Sequence, residues 1–496
     1  MKKLYYSSCS FSAPHIGVVI DDIISTKNSK DEIFWAYCNC ALSSCFMNLS
    51  SCKNMCDFCH VMYRSYSKKY GKGVHLLPIS KKDFSHKSHS WNFDNVQGIK
   101  SIVYRDVYVG NSILSLYFSY TRDLDLKNYE KFVKFARPLV NEICDFVDYA
   151  YDLIGKIKPD EIISYNGRLY ENRLFYDIAN SLGITYTALE VVGGYVEPYK
   201  KVRFKGGLPH SVALNTQKIE NLWKESPLSE KKKHEIASSF YSRRRGGEQV
   251  ADIAVYISAQ RKGALPEDFD PNQRNIAIFN SSQDEMAALG GEWETGYAFS
   301  TQYDAIEYML QNTSDIHYFL RIHPNLKGIY HQDHMKLYEL SKYDNITIIP
   351  PESEVSTYDL MEMCEKVITF GSTMGVEATF WGKPSILMGR SLYENLDVCY
   401  NVYDKEQLLP LLNNRNLPPK DKVGALKYAY FELDREFGVE ENIIDINVKS
   451  KKIRWEFMQT SYFKIFNSKL LYQLVYFYYC ILLPKLSRVK TQSPWS

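Results

Sequence analysis

Two stretches in the second half of the chain carry residue types and spacings that suit phosphate binding. In one, Val367, Ile368 and Phe370 form a short apolar strand, and Gly371, Ser372, Thr373 and Gly375 follow at the entry to a helical pattern. Small residues at such a turn let main-chain N–H groups and hydroxyls approach an anion, and the positive end of the helix favours negative charge. Glu377 falls one turn later, where a carboxylate suits a ribose or sugar hydroxyl better than a phosphate. In the other stretch, the apolar strand 318–320 runs directly into Arg321, His323 and Pro324. Donors at the carboxyl end of a strand line the ligand crevice of open α/β sheets. Each stretch also has a plain packing reading, the glycine turn as a close helix contact and His323 as the cap of a turn before Pro324.

The elements that must hold these residues are legible as apolar strands alternating with amphipathic stretches. That rhythm predicts an α/β fold with parallel sheets and helices on both faces. One series has strands at 3–6, 32–37, 74–79, 161–165 and 184–191, with helices near 15–24 and over 129–155. A second has strands at 275–279, 319–322, 346–349, 367–370 and 384–388. Between them, the charged stretch 229–245 reads as an exposed helix with Arg243, Arg244 and Arg245 as its solvated end, and the proline- and acid-rich 263–272 reads as a linker. The domains expected are therefore 1–265, with a Cys-rich loop over 38–60; a linker, 266–273; a second domain, 274–450; and a helical tail, 451–496.

A chain of 496 residues, 45% hydrophobic, can bury two cores. Its net charge of +2 argues against a dedicated nucleic-acid binder. Residues 1–10 lack the apolar core of a secretion signal, which implies a cytoplasmic protein. The apolar stretch 470–483 is shorter than the ~20 residues of a membrane span. Flanked by Lys464, Lys469, Lys485, Arg488 and Lys490, it reads either as an interfacial segment on the inner face of the cytoplasmic membrane or as a terminal helix packed on the protein body.

The pair Arg321-Ile-His-Pro324 and Phe370-Gly-Ser-Thr-Met-Gly-Val-Glu-Ala378, the latter followed by Gly382-Lys-Pro384, resembles the donor half of bacterial capsule and lipopolysaccharide glycosyltransferases of the two-domain GT-B fold. Phe279-Asn-Ser-Ser-Gln-Asp-Glu285 with Gly291-Glu-Trp293 resembles the opening of the second domain in that group. Asn166-Gly-Arg168 and Glu190-Val-Val-Gly-Gly194 resemble its first domain. The resemblance implies two Rossmann-like domains facing a central cleft, and transfer of a sugar from a nucleotide-sugar donor to a growing surface polysaccharide.

Such a transfer must hold a phosphate leaving group, stabilise its charge and activate an acceptor hydroxyl. The donor set expected is Arg321, His323, Gly371, Ser372, Thr373, Gly375 and Glu377, with His323 also meeting leaving-group charge. Glu190, at the end of a buried strand, is the leading general base, followed by Asp284 and Glu285. Glu190 paired with Arg168, and Asp284 capping a helix, are the plain alternatives. His15, Asn166 and Arg168 are expected at the acceptor or cleft. No Asp-x-Asp motif suits a metal-bridged diphosphate, so no cofactor is expected for transfer. The donor can be CMP-, UDP- or GDP-linked, and the acceptor a glycan or lipid-linked glycan. A CDP-polyol phosphotransferase, a sugar-nucleotide epimerase and a non-catalytic assembly protein are the competing classes.

Seven cysteines crowd the first sixty residues: Cys9, Cys38, Cys40, Cys45, Cys52, Cys56 and Cys59. In a reducing compartment, Cys45, Cys52, Cys56 and Cys59 could hold a structural zinc or iron–sulfur centre, although their spacing matches no common metal motif. Bystander thiols are the alternative.

Overall fold

The computed structural model describes residues 1–437 apart from 11–12, 28–29, 49–52, 86–90, 92, 94, 193–199, 251–255, 258 and 283–285. The chain forms two compact units, Met1–Leu208 and a second that begins at Pro209. The first is built on strands β1 (Lys2–Ser7), β2 (Glu32–Cys38), β3 (His75–Ile79), β4 (Glu161–Tyr165), β5 (Thr185–Val192) and β6 (Lys200–Lys205), in the order β3-β2-β1-β4-β5-β6. The second uses β7 (Arg274–Phe279), β8 (Ile316–Arg321), β9 (Ile346–Ile349), β10 (Lys366–Thr369), β11 (Ser385–Leu387) and β12 (Tyr400–Asn401), in the order β12-β11-β10-β7-β8-β9. Both are the doubly wound Rossmann order, in which the first strand lies at the centre and the chain builds outward to one side and then the other. The expected pair of Rossmann-like α/β units is therefore present.

Side-chain alternation along the central strands feeds a core on each face. In the second sheet, Ile276, Ile278, Tyr318, Leu320 and Ile368 pack with the helix Gln302–Asn312 on one side. Ala277, Phe279, Phe319 and Val367 pack with Leu360, Met361 and Ala378 on the other. In the first unit the helix Tyr129–Ile157 buries a stripe at helical spacing, including Phe132, Ala136, Leu139, Ile143, Phe146, Ala150 and Ile157. Asn128 caps its start by accepting from the Lys131 amide. Phe146 and Phe175 close around Tyr6 of β1.

Three expectations change. The second unit begins at Pro209 rather than after the 266–273 linker, because the helices Val212–Glu225 and Glu230–Arg245 pack with the helix Lys422–Phe437 through Trp223, Phe240, Tyr241, Ala425 and Ala429. The stretch 229–245 is accordingly no solvated helix: it buries Ala237, Phe240, Tyr241 and Arg244. An unforeseen strand, β6, pairs antiparallel with β5, and its Lys201 and Arg203 are neutralised by Asp21, Asp22 and Glu161. Asp284, Glu285, Cys52 and the tail 451–496 lie outside the described residues. Among the described residues no helix is long and apolar enough to cross a membrane.

Candidate functional site

In the second sheet the strand order reverses between β7 and β10, so the loops leaving these two strands diverge and open a crevice at their carboxyl ends. The loops after β7, β8 and β10 are tied together there. Asn280 Oδ1 accepts from the His323 amide at 2.7 Å, and the Ser281 hydroxyl donates to the Phe370 carbonyl at 2.8 Å. His323 therefore lies in the same strand-end cluster as the turn 371–373, as the sequence suggested. Its Nδ1 accepts from the Asn325 amide, and its ring meets Tyr256 edge-on at 5.6 Å. Asn280 is 1% exposed, and its Nδ2 has no acceptor among the described residues. A buried amide donor left in this state has a standing cost that a ligand acceptor would remove.

The glycines are required by geometry. Gly371 has φ 113°, and a Cβ there would come within 2.5 Å of the Arg390 carbonyl oxygen. At Gly375 a Cβ would collide with the Tyr393 hydroxyl and Thr369 Oγ1. That hydroxyl also donates to the Ser372 carbonyl at 2.5 Å, pinning the turn. The helix that follows, Met374–Phe380, is only seven residues long, so its dipole is short.

Two assigned donor residues are placed otherwise than expected. Glu377 is fully buried: Oε1 accepts from Arg244 Nη2 at 3.0 Å and Nε at 3.2 Å, and Oε2 accepts from the Tyr358 hydroxyl at 2.5 Å. The same Arg244 Nη2 reaches Thr373 Oγ1 at 3.3 Å. Glu377 thus braces the turn from beneath and offers no free oxygen to a sugar hydroxyl. Arg321, 3% exposed, donates to the carbonyls of Val355 at 2.8 Å and Ser353 at 3.3 Å. It anchors the segment after β9 instead of reaching a ligand. Burial without a carboxylate lowers its pKa to about 10, so it remains a cation at neutral pH.

In the first unit the strand order reverses between β1 and β4. The parallel register of β4 with β5 sets Tyr165 opposite Leu189, which brings Glu190 beside the residues that follow β4. Glu190 Oε1 accepts from the Tyr165 hydroxyl at 2.8 Å, and Oε2 accepts from Asn166 Nδ2. His15, in the first turn of the helix Ala13–Thr26, stacks on Tyr165 with ring centroids 4.1 Å apart. Burial lowers the pKa of its imidazole to about 4, so it is neutral at pH 7. Asn166 holds φ 55°, a left-handed conformation that asparagine tolerates, and its Oδ1 accepts from the Arg168 amide. The Arg168 guanidinium donates to Ser119 Oγ at 3.0 Å. Thus His15, Asn166 and Glu190 come together, with Arg168 turned toward Ser119.

Of the four cysteines expected to hold a metal, three are described. Cys56 Sγ accepts from Asn48 Nδ2 at 3.1 Å, and Cys59 Sγ accepts from the Ser10 hydroxyl at 3.1 Å. Among the described residues no three His, Cys, Asp or Glu side chains are arranged to hold a metal ion. The fourth, Cys52, lies outside the described residues.

Residues 187–407 match the family model described as Capsule polysaccharide biosynthesis protein. The matched segment runs from within β5 to the first turn of the helix Lys405–Asn413 and contains Glu190, Arg244, Asn280, His323 and the turn 371–375. Among curated proteins none matches the sequence. Solved structures similar to the chain include Thermosulfurimonas dismutans KpsC, a beta Kdo 2,4 transferase, at 15% identity over 55% of this chain and 79% of that one, with TM-score 0.37. A second, the beta Kdo 2,7 transferase of the same KpsC, shares 15% identity over 57% and 79%, with TM-score 0.34. UDP-GlcNAc 2-epimerase from Neisseria meningitidis, bound to UDP-GlcNAc, shares 10% over 88% and 99%, with TM-score 0.29. The strand orders carry the fold assignment without these likenesses.

Within the matched segment, two residues important to the geometry do not stand out in the sequence. Asn280 is visible in the sequence only as part of the stretch Phe279-Asn-Ser-Ser-Gln-Asp-Glu285. Arg244 reads as a solvated charge, yet lies at the end of a helix whose Ala237, Phe240 and Tyr241 recur at inward-facing spacing, and that spacing is the available signal.

Proposed function

We propose that the protein is a glycosyltransferase of capsule polysaccharide synthesis that uses a nucleotide-sugar donor. The observation that carries this reading is the joining of three strand ends at the reversal point of the second sheet, where Asn280 holds the His323 main chain and Ser281 holds the carbonyl before Gly371. In this reading the Ser372 and Thr373 turn receives the donor phosphate, and His323 meets the charge that develops as the nucleotide leaves. Asn280 supplies a further donor to the same ligand. Arg321 acts at a distance, as a buried cation that makes the potential favourable to an anion. Arg244 and Glu377 hold the turn in shape.

On the acceptor side, Glu190 takes the proton of the attacking hydroxyl as its oxygen bonds to the anomeric carbon and the nucleotide phosphate departs. Tyr165 and Asn166 orient the carboxylate, and the neutral His15 packs beneath Tyr165. The transfer is proposed to need no metal, and the acceptor is a glycan or lipid-linked glycan.

The test is thermal shift of the full chain with CMP, UDP, GDP and their sugars, since a ligand that binds only the folded state raises its melting point. One nucleotide class should stabilise the wild type, and His323→Ala should lose most of that shift while keeping the melting point of the free protein. Stabilisation by no nucleotide, or an undiminished shift in His323→Ala, would overturn the donor site. Product analysis then separates sugar transfer from polyol-phosphate transfer. Glu190→Gln should retain the nucleotide shift and lose transfer.

A further inference from the structure

Beyond His323, the chain leaving β8 carries two more histidines that the proposed donor site does not use. His331 stands just before the helix Gln332–Glu339 and His334 in its first turn; they are 5% and 4% exposed. Their ring centroids lie 5.8 Å apart. The helix and the segment before it add Leu326, Leu337 and Leu340 to the buried core of the second sheet, with Ile329 and Tyr338 packed against it.

Main-chain partners fix the tautomer of each ring. His331 Nδ1 accepts from the His334 amide at 3.2 Å, capping the helix, so its lone pair is engaged there and the neutral ring carries its hydrogen on Nε2. His334 Nδ1 lies 2.7 Å from the Ile329 carbonyl oxygen, which can only accept, so Nδ1 carries the hydrogen and Nε2 keeps a lone pair. Burial lowers the His334 pKa and so favours this neutral form. Both Nε2 atoms are buried, and neither has a hydrogen-bond partner among the described residues. One is thus a donor and the other an acceptor, on neighbouring rings in an apolar surrounding where unanswered polar atoms are costly.

These two roles select the occupant. An anion would meet the lone pair of His334. A metal ion would need a lone pair from each ring, and that of His331 is taken by the helix cap. A neutral oxygen with a lone pair to offer one ring and a hydrogen to offer the other satisfies both, and the burial of the two side chains suits the smallest such molecule, water. Two N···O contacts of about 2.9 Å each reach as far as the separation of the ring centroids.

We propose that His331 and His334 hold one buried water, which accepts from His331 Nε2–H and donates to His334 Nε2. The water links the residue before the helix to the first turn a second time, beside the cap. It thereby stiffens the segment that begins with His323 and ends in this helix.

The test is a crystal structure of the full chain, with diffraction recorded on both sides of the zinc absorption edge, together with nitrogen-15 spectra of histidine-labelled protein. One density peak should lie about 2.7–3.2 Å from both Nε2 atoms without anomalous signal. The spectra should show His331 protonated on Nε2 and His334 on Nδ1. His331→Asn keeps a capping oxygen but removes the Nε2 donor. It should lose the peak and lower the melting point, whereas a histidine that served only as a cap would be replaced without loss. No peak, a peak reaching one ring only, a direct bond between the rings, an anomalous scatterer, the opposite tautomer in either ring, or an unchanged melting point in His331→Asn would each overturn the proposal.

Discussion

Replacing Glu377 with alanine is expected to cost stability, and the geometry sets the size. Glu377 is fully buried and its carboxylate pairs with Arg244, whose own side chain is 6% exposed. Removing it leaves a guanidinium in the interior without that carboxylate, though still donating to Thr373 Oγ1, and takes from the Tyr358 hydroxyl the carboxylate it donates to. Breaking one side of a buried pair costs roughly 3–5 kcal/mol because the surviving charge stays desolvated. A loss of about 4 kcal/mol corresponds to roughly a thousandfold in the folded-to-unfolded ratio. Replacing both partners by apolar residues of similar volume removes the stranded charge. Arg244→Met with Glu377→Leu should therefore recover most of the loss, giving a coupling of at least about 2 kcal/mol.

The assay is urea titration read by hydrogen exchange in peptides from the second unit, since two units need not unfold together. The double variant also tests the ligand role. If Glu377 only braces the turn, the folded double variant keeps nucleotide binding within a few-fold; a carboxylate that held a ribose hydroxyl would be missed even with folding restored. Stability of Glu377→Ala within about 0.5 kcal/mol of wild type, the range of ordinary surface changes, would refute the buried-brace argument.

Two further outcomes follow from local geometry. Gly375→Ala should destabilise the second unit by about 1–3 kcal/mol in the same titration, because its methyl group has to displace the Tyr393 hydroxyl that pins Ser372. Glu171 is buried, its Oε2 has no hydrogen-bond partner among the described residues, and burial raises its pKa from 4.5 to about 7. The folded chain thus holds a proton that the unfolded chain releases, so its contribution to stability is full below pH 4.5 and falls as pH rises to about 7. The loss across that window is about 3 kcal/mol at ~1.4 kcal/mol per unit. Urea titrations of the first unit between pH 4.5 and 8 should show this decline in the wild type and its disappearance in Glu171→Gln.

What could be read from the sequence and what could not divides along the range of the interactions. Continuous apolar runs such as Ile276 to Phe279 and Val367 to Phe370 announce strands buried on both faces, because only parallel sheets covered by helices bury both sides. His323 and Gly371 were legible because a polar residue directly after such a run must sit at a strand end. β6 was missed since Lys200-Lys-Val-Arg-Phe-Lys205 looks like a solvated basic segment, and what makes it a strand is the carboxylates of Asp21, Asp22 and Glu161 far away in sequence. The unit boundary failed for the same reason: only the distant helix Lys422–Phe437 reveals that the helix Glu230–Arg245 belongs to the second core.

The buried charges also bear on how the proposed donor site would favour an anion without a long helix beneath it. A seven-residue helix contributes little field beyond its first turn, and Arg244 is neutralised where it stands by Glu377. Arg321 is the contrast: its guanidinium bonds to two main-chain carbonyls and, among the described residues, to no carboxylate, so its charge is held in place without being cancelled. A fixed cation in low dielectric at the carboxyl end of β8 projects farther than a solvated lysine would. The same reasoning ranks the two arginines: loss of Arg321 removes net positive charge from the strand ends, whereas joint loss of Arg244 and Glu377 leaves that charge unchanged. If the proposed donor site holds, attraction for a phosphate should therefore follow Arg321, even though its guanidinium is bonded to main-chain carbonyls.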